Sequence, residues 1–246
     1  MQEDASEFFT TLLESMAKSI LAIENSRELL CTKSNTTINN NSHRITTTIF
    51  DLIFSFQFHV RITCSCCNRV SDTIEFTNTW HVDIEKFQNM EKSMANFLRD
   101  EVLEGENVYN CEVCNKKTRA FKKYSILTAP NILVIHFKRF VNSYPGKLTN
   151  FVSYPEKFSL DAFIAEPCAL KKEQKNSTEP HNSTKFKSNY EEFSKISYEL
   201  YGVLVHCGES SYSGHYYSYV RGLNDVWYIA DDKLVRSFLL DCLVKI

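Results

Sequence analysis

Tyr198-Glu-Leu-Tyr-Gly-Val-Leu-Val-His206-Cys-Gly208-Glu-Ser-Ser-Tyr-Ser-Gly214-His215-Tyr216 carries the most information in the chain. A mostly apolar run ends at His206 and reads as a strand. A small polar loop follows, and His215 stands between Gly214 and Tyr216 at the start of the next strand. Gly208 and Gly214 would let the loop move or let another backbone approach. Asp231 and Asp232 come sixteen residues after His215, past Trp227-Tyr-Ile-Ala. Two short adjacent strands would set a carboxylate beside the imidazole. A carboxylate there fixes the tautomer and orientation of a histidine that acts as base. These are the base and orienter of a nucleophile–base–orienter triad. A lone histidine would read as a hydrogen-bonded structural group. The glycine setting and the paired aspartates favour the functional reading for His215. His206 reads as structural, and His43, His59, His81, His136 and His181 show no comparable constellation.

Outward from this stretch, Tyr198–His206, Gly214–Arg221 and Val226–Ala230 are short strands with short connections, which implies antiparallel pairing. Further strands are expected at Arg119–Leu127, Asn131–Phe140 and, more weakly, Val152–Leu160. Apolar and polar residues alternate from Phe54 to Ile62, which is strand period, and Thr73–Ile84 reads as more strand. Residues 91–103 read as a short helix. An opening helix carries Phe8, Phe9, Leu12, Leu13, Met16 and Ile20 on one face, with Asp4 and Glu7 as a capping-box-like start. Residues 32–48 are polar and low in complexity and read as a surface loop. Residues 166–196 are charged and polar and read as an insertion. There are no internal repeats.

The nine cysteines are an odd number, and the acidic Met1-Gln2-Glu3-Asp4 start does not resemble an export signal. A disulfide framework is therefore not expected; metal or catalytic use is. Cys64-Ser-Cys-Cys67 and Cys111-Glu-Val-Cys114 are two C-x-x-C pairs, each flanked by strands as in a zinc ribbon. Each spacing lets two sulfurs of one turn meet the same ion, and four thiolates suit tetrahedral zinc. Loop closure cost rises slowly with length, so the long insertion between the pairs costs little. The blander reading is buried core cysteines or one redox pair. Cys66 is either a spare thiol or a substitute for Cys64 or Cys67. Cys31, Cys168, Cys207 and Cys242 are scattered and default to core or free thiols.

Composition excludes several classes. A net charge of −2 argues against a general nucleic-acid binder. No run approaches the 18 or so apolar residues of a membrane helix. The expected compartment is intracellular, cytoplasm or nucleus. At 246 residues the chain has room for one large domain or two small ones.

Three blocks resemble the ubiquitin-specific proteases, a group of papain-like cysteine deubiquitinases. Tyr-x-Leu-x-Gly-Val-x-x-His-x-Gly-x5-Gly-His-Tyr at 198–216 is similar to that family's histidine box. Gln2-Glu-Asp4-Ala5-Ser-Glu7-Phe8 resembles its Gln-x-Asp-Ala-x-Glu-Phe helix. Asn131-Ile-Leu-Val-Ile-His-Phe-Lys138-Arg139-Phe140, after Pro130, resembles its Lys-Arg-Phe strand. The resemblance implies an α+β hand-shaped fold: a helical thumb remnant (1–31), zinc-bearing β fingers (50–127) and an antiparallel β palm (128–246) that holds the 166–196 insertion. It implies thiol-dependent hydrolysis of the bond after the C-terminal glycine of ubiquitin, by a monomer whose partners are ubiquitin and ubiquitinated proteins. His215 would be the general base, Asp231 its orienter and Asp232 a polar helper. Asp4 would meet the basic ubiquitin tail. Tyr216 and the Glu209–Ser213 loop would wall the channel for its Gly-Gly end. Cys64, Cys67, Cys111 and Cys114 would hold one structural zinc.

The family's nucleophile sits in a Gly-x-x-Cys box upstream of the Gln2 helix, and no such box surrounds Cys31, Cys168, Cys207 or Cys242. The family's closing aromatic strand after Asp232 has no counterpart in the sequence either. The chain therefore reads as a catalytic domain cut at both ends, and alone it is expected to be inactive. The alternatives are a pseudo-protease that binds ubiquitin without cleaving it and, more distantly, a zinc-ribbon nucleic-acid module.

Overall fold

The computed structural model describes residues 4–32, 47–141, 146–164 and 196–238. In chain order its helices and strands are α1 (Ala5–Thr32), α2 (Ile49–Phe54), β1 (Phe56–Cys64), β2 (Val70–Thr77), β3 (Trp80–Asp83), α3 (Met90–Phe97), β4 (Glu101–Leu103), β5 (Tyr109–Cys111), β6 (Lys116–Thr118), β7 (Ala120–Thr128), β8 (Ile135–Lys138), β9 (Lys157–Ser159), β10 (Ser197–Glu199), β11 (Gly202–Ser210), β12 (Ser213–Arg221), β13 (Trp227–Asp231) and β14 (Leu234–Phe238). Two four-stranded sheets dominate, in the orders β2-β1-β7-β4 and β11-β12-β13-β14. Both are antiparallel throughout, whereas the short pair β3–β8 is parallel.

The alternation in β1 explains where the core lies. Phe56, Phe58 and Val60 face one side and are buried. There they meet Trp80 and Val82 of β3, Met94 of α3, and Val152 and Leu160. The Phe58 ring stands edge-on to Trp80 at 5.3 Å. Each large side chain of this kind contributes about 1.5–3 kcal/mol when fully buried. A smaller second cluster, built on Tyr219 and Trp227, supports the β11–β14 sheet.

Several elements differ from the sequence reading. The strand expected from Phe54 begins two residues later, because Ile49–Phe54 closes into a helical turn and a half. Thr48 caps it: its hydroxyl accepts from Asp51 N, and Asp51 Oδ2 accepts from Thr48 N at 2.6 Å. The helix expected over 91–103 stops at Phe97, and Glu101–Leu103 pairs with β7 instead. Thr73–Ile84 divides between two sheets. Asp4 does cap α1, its Oδ1 accepting from Ser6 N and Glu7 N at 2.8 and 2.9 Å. The apolar face of α1 is only partly used: Phe9 meets Phe54 edge-on at 5.4 Å and Leu13 is buried, while Phe8, Leu12 and Met16 are exposed. A strand, β14, does follow Asp232, without the aromatic pattern. The expected loop and insertion lie almost wholly outside the described residues.

Candidate active site and metal centre

The β12–β13 ladder pairs Ser218 with Ala230 and Tyr219 with Ile229. One further step sets Asp231 opposite Tyr217. His215 lies two residues along the same strand, so strand parity puts it on the face of Asp231. There Asp231 Oδ1 accepts from His215 Nε2 at 2.5 Å. With Nε2 donating, the neutral ring carries its free lone pair on Nδ1, which is therefore the atom able to take a proton. The hydrogen bond from Asp231 raises the His215 pKa, partial burial opposes this, and the charges of Asp231 and Asp232 reinforce it. Asp232 sits in the turn after β13 with φ +49° and acts through its charge. The pair is open to solvent: the His215 side chain is 46% exposed and that of Asp231 36%.

His206 is the register partner of Tyr216, so it lies on the face of the sheet opposite His215. Its ring lies 4.9 Å from that of Tyr216 and 6.1 Å from Phe140. Burial, followed by the charge of Lys147, lowers its pKa. Tyr216 Oη accepts from Ala5 N at 3.3 Å, so the start of α1 touches the strand that carries His215. Asp4, exposed at that helix start, uses Oδ1 for its own cap and keeps Oδ2 clear of it. Cys207 is the register partner of His215 and is exposed.

Two histidines read as unremarkable in the sequence do meet. Parallel pairing sets His81 beside His136, and their Nδ1 atoms are 3.0 Å apart. One ring must donate and the other accept, so both cannot be charged at once without repulsion. Burial lowers the pKa of each. They lie 55 residues apart, and nothing short of the β3–β8 register announces them. His59 likewise faces Asp72 Oδ1 at 2.9 Å, across β1–β2.

The four cysteines of the two C-x-x-C pairs converge. Cys64 ends β1 and Cys111 ends β5, both buried; Cys67 and Cys114 come from the turns that follow. The four sulfurs all lie within 4.8 Å of one another, with Cys64–Cys114 at 3.9 Å and Cys67–Cys111 at 3.6 Å. Zinc–sulfur bonds of about 2.3 Å in a tetrahedron set sulfurs about 3.8 Å apart. The donor set therefore fits a zinc ion. The titration of the thiols agrees: the Thr118 hydroxyl, then backbone N–H groups, hold Cys64 down to about 6. Cys114, crowded first by the Cys67 thiol and then by burial, is pushed far up. A thiolate is favoured at Cys64 and disfavoured at Cys114 until a cation stands beside it. Cys66 is exposed and outside the cluster.

The sequence pattern of the ubiquitin carboxyl-terminal hydrolase family matches residues 1–240. Human ubiquitin carboxyl-terminal hydrolase 42 is 30% identical over 96% of this chain, which spans 15% of that protein. A probable ubiquitin carboxyl-terminal hydrolase 16 from Schizosaccharomyces pombe is 33% identical over 98% of this chain and 44% of its own length. Among solved structures, the SAGA Ubp8/Sgf11/Sus1/Sgf73 DUB module bound to ubiquitin aldehyde aligns with a TM-score of 0.69. That match has 22% identity and covers 99% of this chain and 47% of the other. This likeness concerns the fold. The chain spans less than half the length of each of these relatives.

Proposed function

The chain belongs to the ubiquitin carboxyl-terminal hydrolase family, and on that premise we propose that it carries the base, the orienter and the zinc-bearing fingers of a cysteine deubiquitinase. The reaction is hydrolysis of the bond after the C-terminal glycine of ubiquitin, on conjugates or precursors. The observation that carries this reading is the contact of His215 Nε2 with Asp231 Oδ1. It leaves Nδ1 to take the proton of an incoming thiol and later return it to the leaving amine. In the first step the thiolate attacks the glycine carbonyl, a thioester forms and the amine leaves with a proton. Water, deprotonated by the same imidazole, then releases ubiquitin.

Asp232 adds negative charge near the imidazolium. Asp4, with one carboxylate oxygen outside its cap, suits the basic tail of ubiquitin, and Tyr216 beside it suits the wall of a narrow channel. Such a channel selects glycine because any Cβ would collide with its sides. Residues 1–31 would form part of the thumb, 50–127 the fingers and 128–246 the palm. Zinc at Cys64, Cys67, Cys111 and Cys114 would be structural, tying the finger tip. The solved relative is bound to ubiquitin aldehyde, which supports ubiquitin as the partner of this chain, inside the cell.

A thiol in a Gly-x-x-Cys setting is the part the sequence does not supply. Cys207 stands across the ladder from His215, on a strand without the Gly-x-x-Cys setting. The 246-residue polypeptide alone should therefore bind ubiquitin and not cleave it. Turnover of a fluorogenic ubiquitin C-terminal substrate that co-purifies with this polypeptide would overturn that statement. Turnover by the full-length protein, lost in His215→Ala, is the expected positive result. Full-length protein that binds ubiquitin but turns over nothing would favour the pseudo-protease.

A further inference from the structure

We propose that Lys147 is a positioning residue for His215, acting through the His206–Gly208 edge of β11. The inference rests on the reading of His215 as the base. β11 is an edge strand of its sheet. Alternate carbonyls of an edge strand point away from the sheet and need partners. Lys147 Nζ supplies one for two of them: it donates to His206 O at 2.6 Å and to Gly208 O at 3.1 Å. His206 Nδ1 lies 3.5 Å from the same nitrogen, too far for a strong bond and close enough to keep a proton off Nδ1. An ammonium has three protons and accepts none, so two go to the carbonyls and the third faces Nδ1. This arrangement also selects one tautomer of His206, with the proton on Nε2.

The placement of the His206 ring matters because of what lies above it. A Cβ on Gly214 would overlap His206 Nε2 and come within 2.6 Å of Cys207 O. A Cβ on Gly208 would come within 2.9 Å of Gly214 Cα. The imidazole of His206 and the Gly208 backbone thus form the bed on which Gly214 lies, and His215 is the next residue. Across the same ladder Cys207 pairs with His215. A shift of the 206–208 edge has little slack to absorb it before it reaches His215.

Lys147 is itself anchored from behind. It bridges to Phe140, and Leu148 N donates to Arg139 O at 2.7 Å. Arg139 Nη1 returns to Leu148 O and Asn150 O at 2.9 and 3.0 Å. The ammonium therefore presses on β11 from a braced segment.

The test uses the full-length protein with 15N-labelled histidine. In the wild type, His206 should show the Nε2–H tautomer at neutral pH; an Nδ1–H tautomer overturns the proposal without any variant. In Lys147→Met the tautomers should mix and the His206 pKa should rise. The kcat on a ubiquitin C-terminal fluorogenic substrate should fall by up to about 100-fold, as when a remote change misplaces reacting groups by about 1 Å, with KM little changed. Lys147→Arg should recover part of that loss. A folded Lys147→Met protein with wild-type kcat and an unchanged His206 spectrum overturns the proposal. His215→Ala is run beside it: full turnover there defeats the base assignment instead, and the His206 spectra still report on Lys147.

Discussion

The four-thiol cluster and the His215–Asp231 pair are both built at strand ends, and they use opposite means. Cys64 and Cys111 are buried, and the hairpin that carries Cys111 has strands of only three residues. So small a tip buries almost no apolar surface, and its order has to come from the sulfurs. His215 and Asp231 are each more than a third exposed. They project from a four-stranded sheet that has its own cluster of Tyr219 and Trp227 beneath it. Burial suits a group proposed to hold the fold, and exposure suits a pair proposed to move protons for a substrate.

The comparison breaks most visibly at the cysteines. Cys111→Ser should abolish binding of one zinc per chain and lower the melting temperature by about 10 °C or more, since ligand loss removes metal-coupled folding energy. Chelation of the wild type should act in the same direction. Elemental analysis and thermal melts decide this, and a folded protein with no zinc would remove the structural role altogether. His215→Ala should do the reverse in the full-length protein. Above the raised His215 pKa, where the contact with Asp231 no longer adds stability, the melting temperature stays put while kcat/KM falls by about 10³-fold or more, as when a triad base is lost. A destabilised His215→Ala protein would erase the distinction between the regions.

The two regions also differ in how far the sequence discloses them. The cysteines are legible because each pair is local, a two-residue spacer within one turn. His215 and Asp231 are legible because their strands are consecutive, so spacing nearly determines register. His81 and His136 are not, because a parallel pair of strands 55 residues apart brings them together. Lys147 is not either, since its partners are carbonyls and carry no side-chain signature. Boundaries failed where a local cap overrode periodicity. Thr48 and Asp51 turn the start of an alternating run into α2, and pairing with β7 takes Glu101–Leu103 out of the expected helix.

Asp231→Asn sharpens the chemical half. Asp231 raises the His215 pKa above its ordinary 6.5. The proton is then held to higher pH, and the base form appears only above the raised value. In the polypeptide studied by NMR, His215 should titrate above free histidine, and Asp231→Asn should bring it down. Stability gained from this contact is full below the unfolded pKa and fades as pH rises through the folded one. Activity should fall less than in His215→Ala, because the imidazole remains and only its tautomer and aim are lost.

Asp72 gives the smallest effect and the opposite sign, on the β1–β2 ladder that leads to the thiols. Arg61 Nε donates to its Oδ1 at 2.8 Å, and His59 Nε2 lies 2.9 Å from the same oxygen. Arg61 holds the Asp72 carboxyl below its usual pKa. A depressed carboxylate stabilises the fold above its unfolded pKa and loses that contribution as pH falls through the folded value. With the Asp72 side chain 43% exposed, water and salt screen the interaction. Asp72→Asn should therefore cost about 0.5 kcal/mol at neutral pH, and less in high salt. Urea denaturation at pH 7 and near pH 3 reads the sign: the difference from wild type should shrink on the acid side. A cost that grows on acidification would mean that Asp72 is held by something other than its neighbouring cations. A cost of several kcal/mol would mean that β1–β2 depends on this ion pair rather than on the buried aromatics below and the thiols at its tip.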